Sequence, residues 1–501
     1  MEWNLRSAGA LAAAMRAGAV SSVELTDAAI EAIERADGPV NAICVADFDR
    51  AREAAREADR ALARGEDRPL LGVPMTVKES YDVAGLPTTW GMPQYRDFVP
   101  AEDAVQVARV KAAGAVVLGK TNVPLGLQDL QSFNAIYGTT NNPWDPGRTS
   151  GGSSGGSAAA LACGFGALSL GSDLAGSLRT PAHFCGIYAH KPTVGLAAMR
   201  GMTPPPGPAL PTEADLAVVG PMARTAGDLT LLLEVMAGPD PLTAGRAHTV
   251  ALPRARHDEL ADFRVLVLDD HPFLGTGSAV RAGVRRVADA LVAGGARVAR
   301  HSPLLPDLAE AATIYTQLLF SGSVARFPVD AYEQLRARAG ELDPDDRSLE
   351  ATRLRAMVLT HREWLEVAAR REAHRHGWRQ LFARFDAVVC PITPTPAFPH
   401  DHDPDLLARR LDVDGVAYPF FDQIVWAGLA TMPGLPATAV PAGSSPEGLP
   451  VGVQLIGPMF EDRTVLRLAE LLEERLGGFR PPREPRRPGR FGRQPAPVEP
   501  A

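Results

Sequence analysis

Two serine-containing segments of this sequence carry residue types that could perform covalent chemistry. TSGGSSGGSAAA occupies residues 149–160, and GSDLAGSLRTP occupies residues 171–181. Repeated glycine lets the backbone approach a ligand closely, although a Gly/Ser run is also typical of a flexible linker. Ser177 follows two small residues and a predicted strand end, where a nucleophile turn would leave consecutive N–H groups available as an oxyanion hole. An ordinary turn is the alternative interpretation.

Lys78 is the third residue with chemical potential. It lies inside PLLGVPMTVKES (69–80), a short apolar run that predicts a buried strand. Burial disfavours the ammonium form, and a neutral lysine is a competent general base for a serine hydroxyl. A salt-bridged lysine, or one whose head group reaches solvent, is the alternative.

In this order, GVPMTVKES, GGSSGGSAAA and GSDLAGSLR resemble the amidase signature family. The resemblance is dense over 70–235, returns over 432–476 and is faint over 240–430. Shorter segments that share it are GKTN (119–122), NPW (142–144), CGIYAHKPT (185–193) and VGVQLIGP (451–458).

The resemblance implies an amide hydrolase that cleaves linear carbon–nitrogen bonds of a small-molecule amide with a Ser–cis-Ser–Lys triad. It implies neither a cofactor nor a metal. Carried onto this sequence, Ser177 is the nucleophile, Ser153 is the bridging serine in a cis peptide bond, and Lys78 is the base.

The resemblance also implies supporting positions. The oxyanion would be held by the backbone N–H groups of Leu174, Ala175, Gly176 and Ser177. The backbone at Leu127 and Gln128 would face the substrate. Loop-shaping roles fall to Ser154, Asp173 and Arg179.

Two departures from the family stand beside these positions. Ala175 replaces a common glycine, and we expect catalysis to survive if alanine tolerates the local φ, because its N–H remains. Ala189 and His190 replace commoner residues before Lys191, and we interpret them as structural variants.

Composition narrows the classes of protein. The 501 residues are 46% hydrophobic and 22% charged, which is ordinary for a globular chain, and the net charge of −8 argues against a nucleic-acid partner. Four cysteines without a C-x-x-C pair favour a cytoplasmic location. Because no apolar run reaches 18 residues, no membrane span is expected, and residues 8–20 are predicted to form an amphipathic helix rather than an export signal.

Helical and strand patterns alternate along the chain, which predicts an α/β fold. The resemblance makes this a large mixed β-sheet sandwiched between helix layers. We expect one domain over 1–478, followed by a disordered Pro/Arg-rich tail over 479–501. Its parts are N-terminal helices (1–66, with helical pattern throughout 5–65), a signature core (67–238), a variable substrate-pocket region (239–430) and a return to the core (431–478).

Three rival motifs are disfavoured. GAVVLGKT (114–121) matches the phosphate-loop pattern, but AVVL is itself the predicted strand and Pro124 follows. GGSSG matches a nucleophile elbow of a Ser–His–Asp hydrolase, but no strand precedes it. The cluster from His400 to Asp403 has metal-ligand types, yet it lies in a polar Pro-flanked loop that we predict to be solvated.

Several alternatives stay open at this stage. The same triad would serve an acyltransferase that forms amides, or the glutaminase subunit of a tRNA-dependent amidotransferase. Either a monomer or a homodimer is compatible with the sequence. The apolar residues that line a pocket, or else belong to the core, are Leu318, Leu319, Phe320, Phe398, Phe420 and Phe421.

Overall fold

Helices and strands alternate along most of the chain in a computed structural model, which describes residues 3–207, 215–325 and 327–482. The α-helices of these ranges are α1 (Ala8–Arg16), α2 (Ser22–Ala36), α3 (Phe48–Ala63), α4 (Val105–Ala112), α5 (Gly155–Ala162), α6 (Arg179–Cys185), α7 (Ala226–Met236), α8 (Ser278–Ala293), α9 (Leu308–Ser323), α10 (Val329–Gly340), α11 (Leu349–Ala356), α12 (His361–Phe382), α13 (Val425–Thr431) and α14 (Asp462–Leu476).

The strands fall between these helices. They are β1 (Ile43–Ala46), β2 (Pro74–Lys78), β3 (Val116–Thr121), β4 (Phe133–Asn134), β5 (Gly138–Thr139), β6 (Asn141–Asn142), β7 (Asp145–Thr149), β8 (Leu168–Asp173), β9 (Tyr188–Lys191), β10 (Val218–Ala223), β11 (Arg264–Val267), β12 (Arg297–Ala299), β13 (Ala387–Pro391), β14 (Arg410–Val413), β15 (Val416–Pro419), β16 (Ala437–Ser444) and β17 (Pro450–Ile456).

Eleven of the described strands form one sheet in the order β1-β3-β2-β8-β10-β9-β16-β17-β13-β11-β12. Strands β3, β2 and β8 run parallel to one another, as do β13, β11 and β12. The strands between these two groups pair antiparallel, so the sheet is mixed. The predicted fold class is therefore confirmed.

Alternate residues of the strands point into cores on opposite faces, as the period of two along a strand requires. In β11, Val265 and Val267 join the core that contains side chains of α1, α7, α8 and α14. Leu266 between them joins the core formed with α9, α12 and α13. A third core packs α2, α3, α5 and α6 against the sheet. Helices thus cover both faces, and both faces are apolar.

One sequence prediction for the N-terminal region is wrong. The helical pattern over 5–65 is interrupted by β1, which pairs antiparallel with β3 at the sheet edge. Gly38 and Pro39 follow the end of α2, and the segment ICVA, whose residues favour strands, then forms hydrogen bonds with β3 at the edge of the sheet. Helix propensity, which is a local property, does not include this pairing. α2 begins with a capping box, since the Ser21 hydroxyl and Glu24 carboxylate each accept the other residue's backbone N–H.

The remaining predictions of organisation have different outcomes. The division of the chain into regions stays a prediction. Residues 483–501 of the predicted tail lie outside the described residues. Within the described ranges, no helix combines the length and apolar character needed to cross a bilayer.

The parallel pair β2 and β8 sets the position of the candidate site. Val77 lies opposite Leu170, so Lys78 and Ser172 lie near the carboxyl ends of neighbouring strands. Side chains at the carboxyl ends of parallel strands meet at one edge of the sheet, where loops rather than further strands follow. The two serine segments of the sequence are the loops at this edge.

Candidate active site

Lys78 ends β2 with its side chain completely buried. Its Nζ atom lies 2.6 Å from the Ser153 Oγ and 2.9 Å from the Ser172 Oγ. Burial lowers the pKa of this lysine to about 7, against the opposing effect of the Asp173 charge. Near neutral pH a large share of Lys78 is therefore an uncharged amine, which can accept a proton.

Ser153 follows Gly152 through a cis peptide bond in the loop before α5. The loop fits tightly there, since a Cβ on Gly152 would lie 2.5 Å from the Asp129 carbonyl oxygen and 2.7 Å from the Gln131 nitrogen. Only glycine fits this close approach of two backbones. The Ser153 hydroxyl is consequently fixed next to Lys78.

Ser154 joins the two serine segments. Its N–H donates to the Ser177 carbonyl at 3.2 Å. Its hydroxyl lies 3.3 Å from the Ser172 carbonyl oxygen and 3.4 Å from the Ser172 nitrogen. These contacts hold the loop before α5, which contains Ser153, against the end of β8 and the turn that contains Ser177.

Ser177 lies in the turn between β8 and α6, as the sequence predicted. Gly176 has a φ of +96° and makes the sharp change of direction. Ser177 is 6% exposed, and no hydrogen bond of its hydroxyl is found among the described residues. The Ser177 hydroxyl is therefore nearly buried and has no hydrogen-bond partner among the described residues.

Asp173 and Arg179 fix the turn that carries Ser177. Both side chains are fully buried, and the guanidinium contacts the two carboxylate oxygens at 2.8 and 3.0 Å. Burial alone would raise the pKa of Asp173, but the Arg179 charge and hydrogen bonds outweigh it and lower the pKa. The other Arg179 donors reach Ala427, Thr431 and Gln454, so the guanidinium also ties the turn to α13 and β17.

The predicted oxyanion groups differ in availability. The Gly176 N–H donates to the Asp173 carboxylate at 2.9 Å, so this predicted donor is already in use. No hydrogen bond of the Leu174, Ala175 or Ser177 N–H is found within the described residues. Ala175 is not among the non-glycine residues with positive φ, so alanine meets no backbone strain there.

The predicted substrate-facing residues Leu127 and Gln128 lie in a turn after β3. Leu127 is half-buried with a φ of +60°, and Gln128 follows it as the last residue of the turn. The Gly126 N–H donates to the Trp90 carbonyl at 2.8 Å. The segment continues directly into residues 129–131, which pack against Gly152, so the turn lies near the loop that contains Ser153.

Sequence reasoning missed two buried polar residues close to Lys78. The Ser172 hydroxyl is the second contact of Lys78, and its place beside Asp173 at a strand end was the available signal. Glu79 is buried directly after Lys78 and accepts N–H groups of Thr89 (2.6 Å) and Trp90 (3.0 Å). A buried carboxylate needs such partners, so its presence in an apolar strand could have predicted an anchored turn.

The rival motifs are accounted for within the described residues. Lys120 of the phosphate-loop pattern is buried in β3 and donates to Pro87 and Thr88, so it is not free for phosphate. No hydrogen bond joins Ser153 or Ser177 to a histidine in the described ranges. No cluster of three metal-binding side chains is found there either, around His400 or elsewhere. His190 is buried, and its two ring nitrogens contact Thr438 and Asp462, so we interpret it as a structural residue.

The predicted apolar lining residues all belong to one core or pack against it. Leu318, Phe320 and Phe420 are buried, whereas the half-buried members are Leu319, Phe398 and Phe421. Ala175 of the nucleophile turn packs against the same core. The Tyr315 hydroxyl on α9 donates to the Leu174 carbonyl at 3.0 Å, which joins this apolar region to the turn.

Comparisons with known proteins show the family of this chain. A model of the family described as Amidase matches residues 24–466. A glutamyl-tRNA(Gln) amidotransferase subunit of Roseiflexus castenholzii (strain DSM 13941 / HLO8) is 35% identical over 472 residues, covering 90% of this chain and 92% of that protein. Indoleacetamide hydrolase of Bradyrhizobium diazoefficiens is 32% identical over 477 residues, covering 93% of this chain and 86% of that protein.

A solved structure gives the same result at the level of the fold. A protein from a vestigial complex that reveals the evolutionary origins of an s-triazine catabolic enzyme superposes with a TM-score of 0.79 at 30% identity. The match covers 95% of this chain and all of that one. The family resemblance of the sequence is confirmed: the chain belongs to the amidase family, the amidase signature enzymes, which hydrolyse carbon–nitrogen bonds of amides.

Proposed function

We propose that this chain hydrolyses a carboxylic amide to an acid and ammonia or an amine through an acyl-enzyme on Ser177. The observation that carries the proposal is the 2.6 Å contact between Lys78 and Ser153. Burial lowers the pKa of that lysine to about 7, which matches a general base to neutral pH. Among the described residues, no other buried lysine contacts a serine hydroxyl.

In the proposed reaction, neutral Lys78 takes a proton from Ser153 while Ser153 takes the proton of Ser177. The Ser177 Oγ forms a bond to the amide carbonyl carbon. The proton then returns from Lys78 through Ser153 to the leaving nitrogen, the carbon–nitrogen bond breaks, and the acyl-enzyme remains. Water repeats the sequence on the ester bond and releases the acid, which restores all three residues.

The negative oxygen of each tetrahedral intermediate would be held by backbone N–H groups of the nucleophile turn. Those of Leu174, Ala175 and Ser177 have no acceptor among the described residues, so we assign them this role and leave Gly176 to bind Asp173. Donors fixed in place before the reaction are worth more than flexible ones because they need no reorganisation.

Five further residues complete the proposed site. Leu127 and Gln128 would face the substrate from the turn beside the catalytic loop. Ser154, Asp173 and Arg179 would act as positioning residues, because their hydrogen bonds hold the two serine segments together. No cofactor or metal takes part in this scheme.

The substrate class that we propose is an amide with an apolar, preferably aryl, acyl group. Half-buried Leu319, Phe398 and Phe421 pack against the same core as Ala175, and we assign these three residues as the apolar wall of the acyl site. The similarity to a protein named indoleacetamide hydrolase supports an aryl group. We expect a monomer or homodimer, and the four free cysteines support a cytoplasmic location.

A glutaminase subunit is the second candidate function. The observation that favours it is the 35% identity with a protein named as part of a glutamyl-tRNA(Gln) amidotransferase. Such a chain would release ammonia from glutamine inside a complex. Transfer of the acyl group from Ser177 to an amine, rather than to water, would use the same residues.

The test is ammonia release by the purified full-length chain from arylacetamides, alkyl amides and glutamine. Ser177→Ala, Ser153→Ala and Lys78→Met run beside it. Ser169→Ala is the matched control, because it removes a buried hydroxyl on β8 that contacts Thr76 instead of Lys78. We expect the three site variants to lose about 10³-fold or more in kcat, and the control to keep wild-type activity.

Each other outcome rejects a defined part of the proposal. A Lys78→Met variant with wild-type activity would refute the serine–lysine mechanism. Turnover of glutamine alone would favour the glutaminase subunit. Product formation only in the presence of an added amine would favour acyl transfer.

A further inference from the structure

A strip of five residues, 129–133, lies between the loop that contains Ser153 (residues 150–154, the catalytic loop of the proposed reaction) and a segment of the variable region, residues 399–410. Asp129, Gln131 and Phe133 each contact the 399–410 segment, whereas Ser132 contacts the catalytic loop. The strip therefore connects two parts of the chain that do not adjoin in sequence.

On the catalytic side, the strip holds both ends of the loop that contains Ser153. The Ser132 hydroxyl donates to the Gly151 carbonyl at 3.0 Å and accepts the Gly155 N–H at 3.1 Å. The backbone of the strip also packs on Gly152 without room for a Cβ. A displacement of the strip would therefore move the Ser153 loop.

On the other side, three contacts of different kinds hold the 399–410 segment. Asp129 accepts from the Arg409 guanidinium at 2.7 Å. Gln131 makes a reciprocal pair with the backbone of Asp401, at 2.6 and 3.0 Å. The Phe133 ring stacks on His402 with centroids 3.9 Å apart.

Arg409 is the central residue of this attachment. Its side chain is 1% exposed, and its Nε donates to the Asp403 carbonyl at 2.8 Å. The guanidinium lies 5.8 Å from the Phe133 ring centroid and 5.7 Å from that of Phe420. Arg409 thus joins the strip to Phe420, a buried ring that packs on two residues of the proposed acyl wall.

Phe420 connects Arg409 with the proposed acyl wall. Its ring lies edge-on to Phe398 at 5.6 Å and edge-on to Phe421 at 5.7 Å, and both of those residues are half-buried. Replacing Arg409 alone would leave the Asp129 carboxylate buried without its partner, which favours detachment of the segment. The wall would then lose its fixed distance from Ser153.

We propose that Arg409 is a positioning residue for substrate selection, which holds the 399–410 segment and Phe420 against the strip and so fixes the acyl wall relative to the catalytic loop. The inference rests on the proposed amide hydrolysis for its kinetic consequence. Its structural consequence, an immobile 399–410 segment, does not depend on the activity.

The test compares Arg409→Met, Asp129→Asn and the double variant with wild type. Arg410→Met is the matched control, because Arg410 is exposed and its guanidinium contacts only neighbouring carbonyl groups. Steady-state kinetics use a small alkyl amide and a bulky arylacetamide, each over a pH series. Hydrogen exchange of the 399–410 backbone amides is measured on the same samples.

We expect Arg409→Met to lose about 10-fold or more in kcat/KM for the arylacetamide, mainly through KM, with a much smaller loss for the alkyl amide. The midpoint of the pH profile should stay at its wild-type value, and 399–410 should exchange faster. The double variant should be no worse than Arg409→Met, since both remove one interaction. The Arg410 control should match wild type.

Equal losses on both substrates with a shifted pH midpoint would overturn the inference, because Arg409 would then act on the triad. Unchanged exchange of 399–410 would overturn it regardless of activity. If Arg409→Met does not fold, Gln131→Met removes the neighbouring attachment to Asp401 and must produce the same two effects in weaker form. A wild-type enzyme inactive on all amides would reject the proposed function, while the exchange comparison still decides the attachment.

Discussion

The Nζ atom of Lys78 lies 2.6 Å from the Oγ atom of Ser153, and neither side chain has more than marginal access to solvent. A charged ammonium at this place would lose most of its hydration, so the buried site favours the neutral amine. The same contact places the amine within proton-transfer distance of a hydroxyl. Two of the predictions below follow from this relationship.

The pH profile of kcat/KM should rise with pH through a midpoint near 7. Burial lowers the pKa of Lys78 to about 7, and only the neutral form above that pH can accept the proton. The measurement is the rate of amide hydrolysis from about pH 5 to about pH 9, a range of about four units centred on the pKa of Lys78. A profile that is flat or falls with pH would contradict the assignment of Lys78 as the base.

Lys78→Met should abolish activity and raise the thermal midpoint at neutral and acid pH. The pKa of Lys78 is lowered on folding, from 10.5 to about 7, so the unfolded chain binds more protons between these values. Burying the lysine therefore lowers wild-type stability fully below pH 7, and this loss diminishes as the pH approaches 10.5.

The measurement for this variant is the difference in Tm from wild type at about pH 6, 8 and 10. These pH values cover most of the interval of about three and a half units between the folded and unfolded pKa of Lys78. The difference should be largest at the lowest pH. Because Lys120 and Lys191 are buried in both proteins, their effects cancel in the difference. A variant that is less stable at every pH would show that the Lys78 hydrogen bonds outweigh its desolvation.

Gly152→Ala should unfold the site or prevent folding. A Cβ at that position would overlap the Asp129 carbonyl oxygen at 2.5 Å, and both partners are backbone atoms that cannot rotate away. Gly227→Ala is the control, because nothing lies within 4 Å of its Cβ and it lies in the first turn of α7. The control should be neutral or more stable, by up to about 1 kcal/mol. Equal thermal midpoints for the two variants would contradict this packing.

Arg179→Met should destabilise the fold by about 3–5 kcal/mol, because it leaves the Asp173 carboxylate buried and unpaired. Arg179→Lys should not restore stability, since a single ammonium cannot replace the fork that contacts both carboxylate oxygens and three further acceptors. Urea unfolding followed by fluorescence measures both. Arg60→Met, which removes an exposed ion pair with Glu57, should unfold like wild type.

Much of the fold followed from local patterns. The apolar run PLLGVPMTVKES contains the strand β2, the run AVVL overlaps the strand β3, and the predicted helix within residues 8–20 is α1 (Ala8–Arg16). The strand β1 was missed because its four residues are stabilised by pairing with β3. That strand is distant in sequence, so a pattern read over neighbouring residues does not include it. The prediction that GAVVLGKT is not a phosphate-binding loop agrees with the structure, because its lysine, Lys120, donates to Pro87 and Thr88.

Some features of the candidate site could likewise be predicted from the sequence, and others could not. The candidate residues Lys78, Ser153 and Ser177 could be selected because unusual residue types stand in family motifs. The occupation of the Gly176 N–H by Asp173 could not, because it depends on how the turn closes. The same is true of the Ser172 hydroxyl, which meets Lys78 only through the parallel pairing of β2 and β8.

By itself, the sequence determined the family and the layered α/β fold, because motifs and short-range periodicity depend on residue type alone, and the family resemblance supplied the candidate triad as a prediction. Only the tertiary structure decided which groups touch. Asp129 and Arg409 are separated by 280 residues, yet they form one buried ion pair. Contacts of this kind depend on the register of distant segments, which is fixed by packing of the whole sheet and its helices rather than by any local pattern.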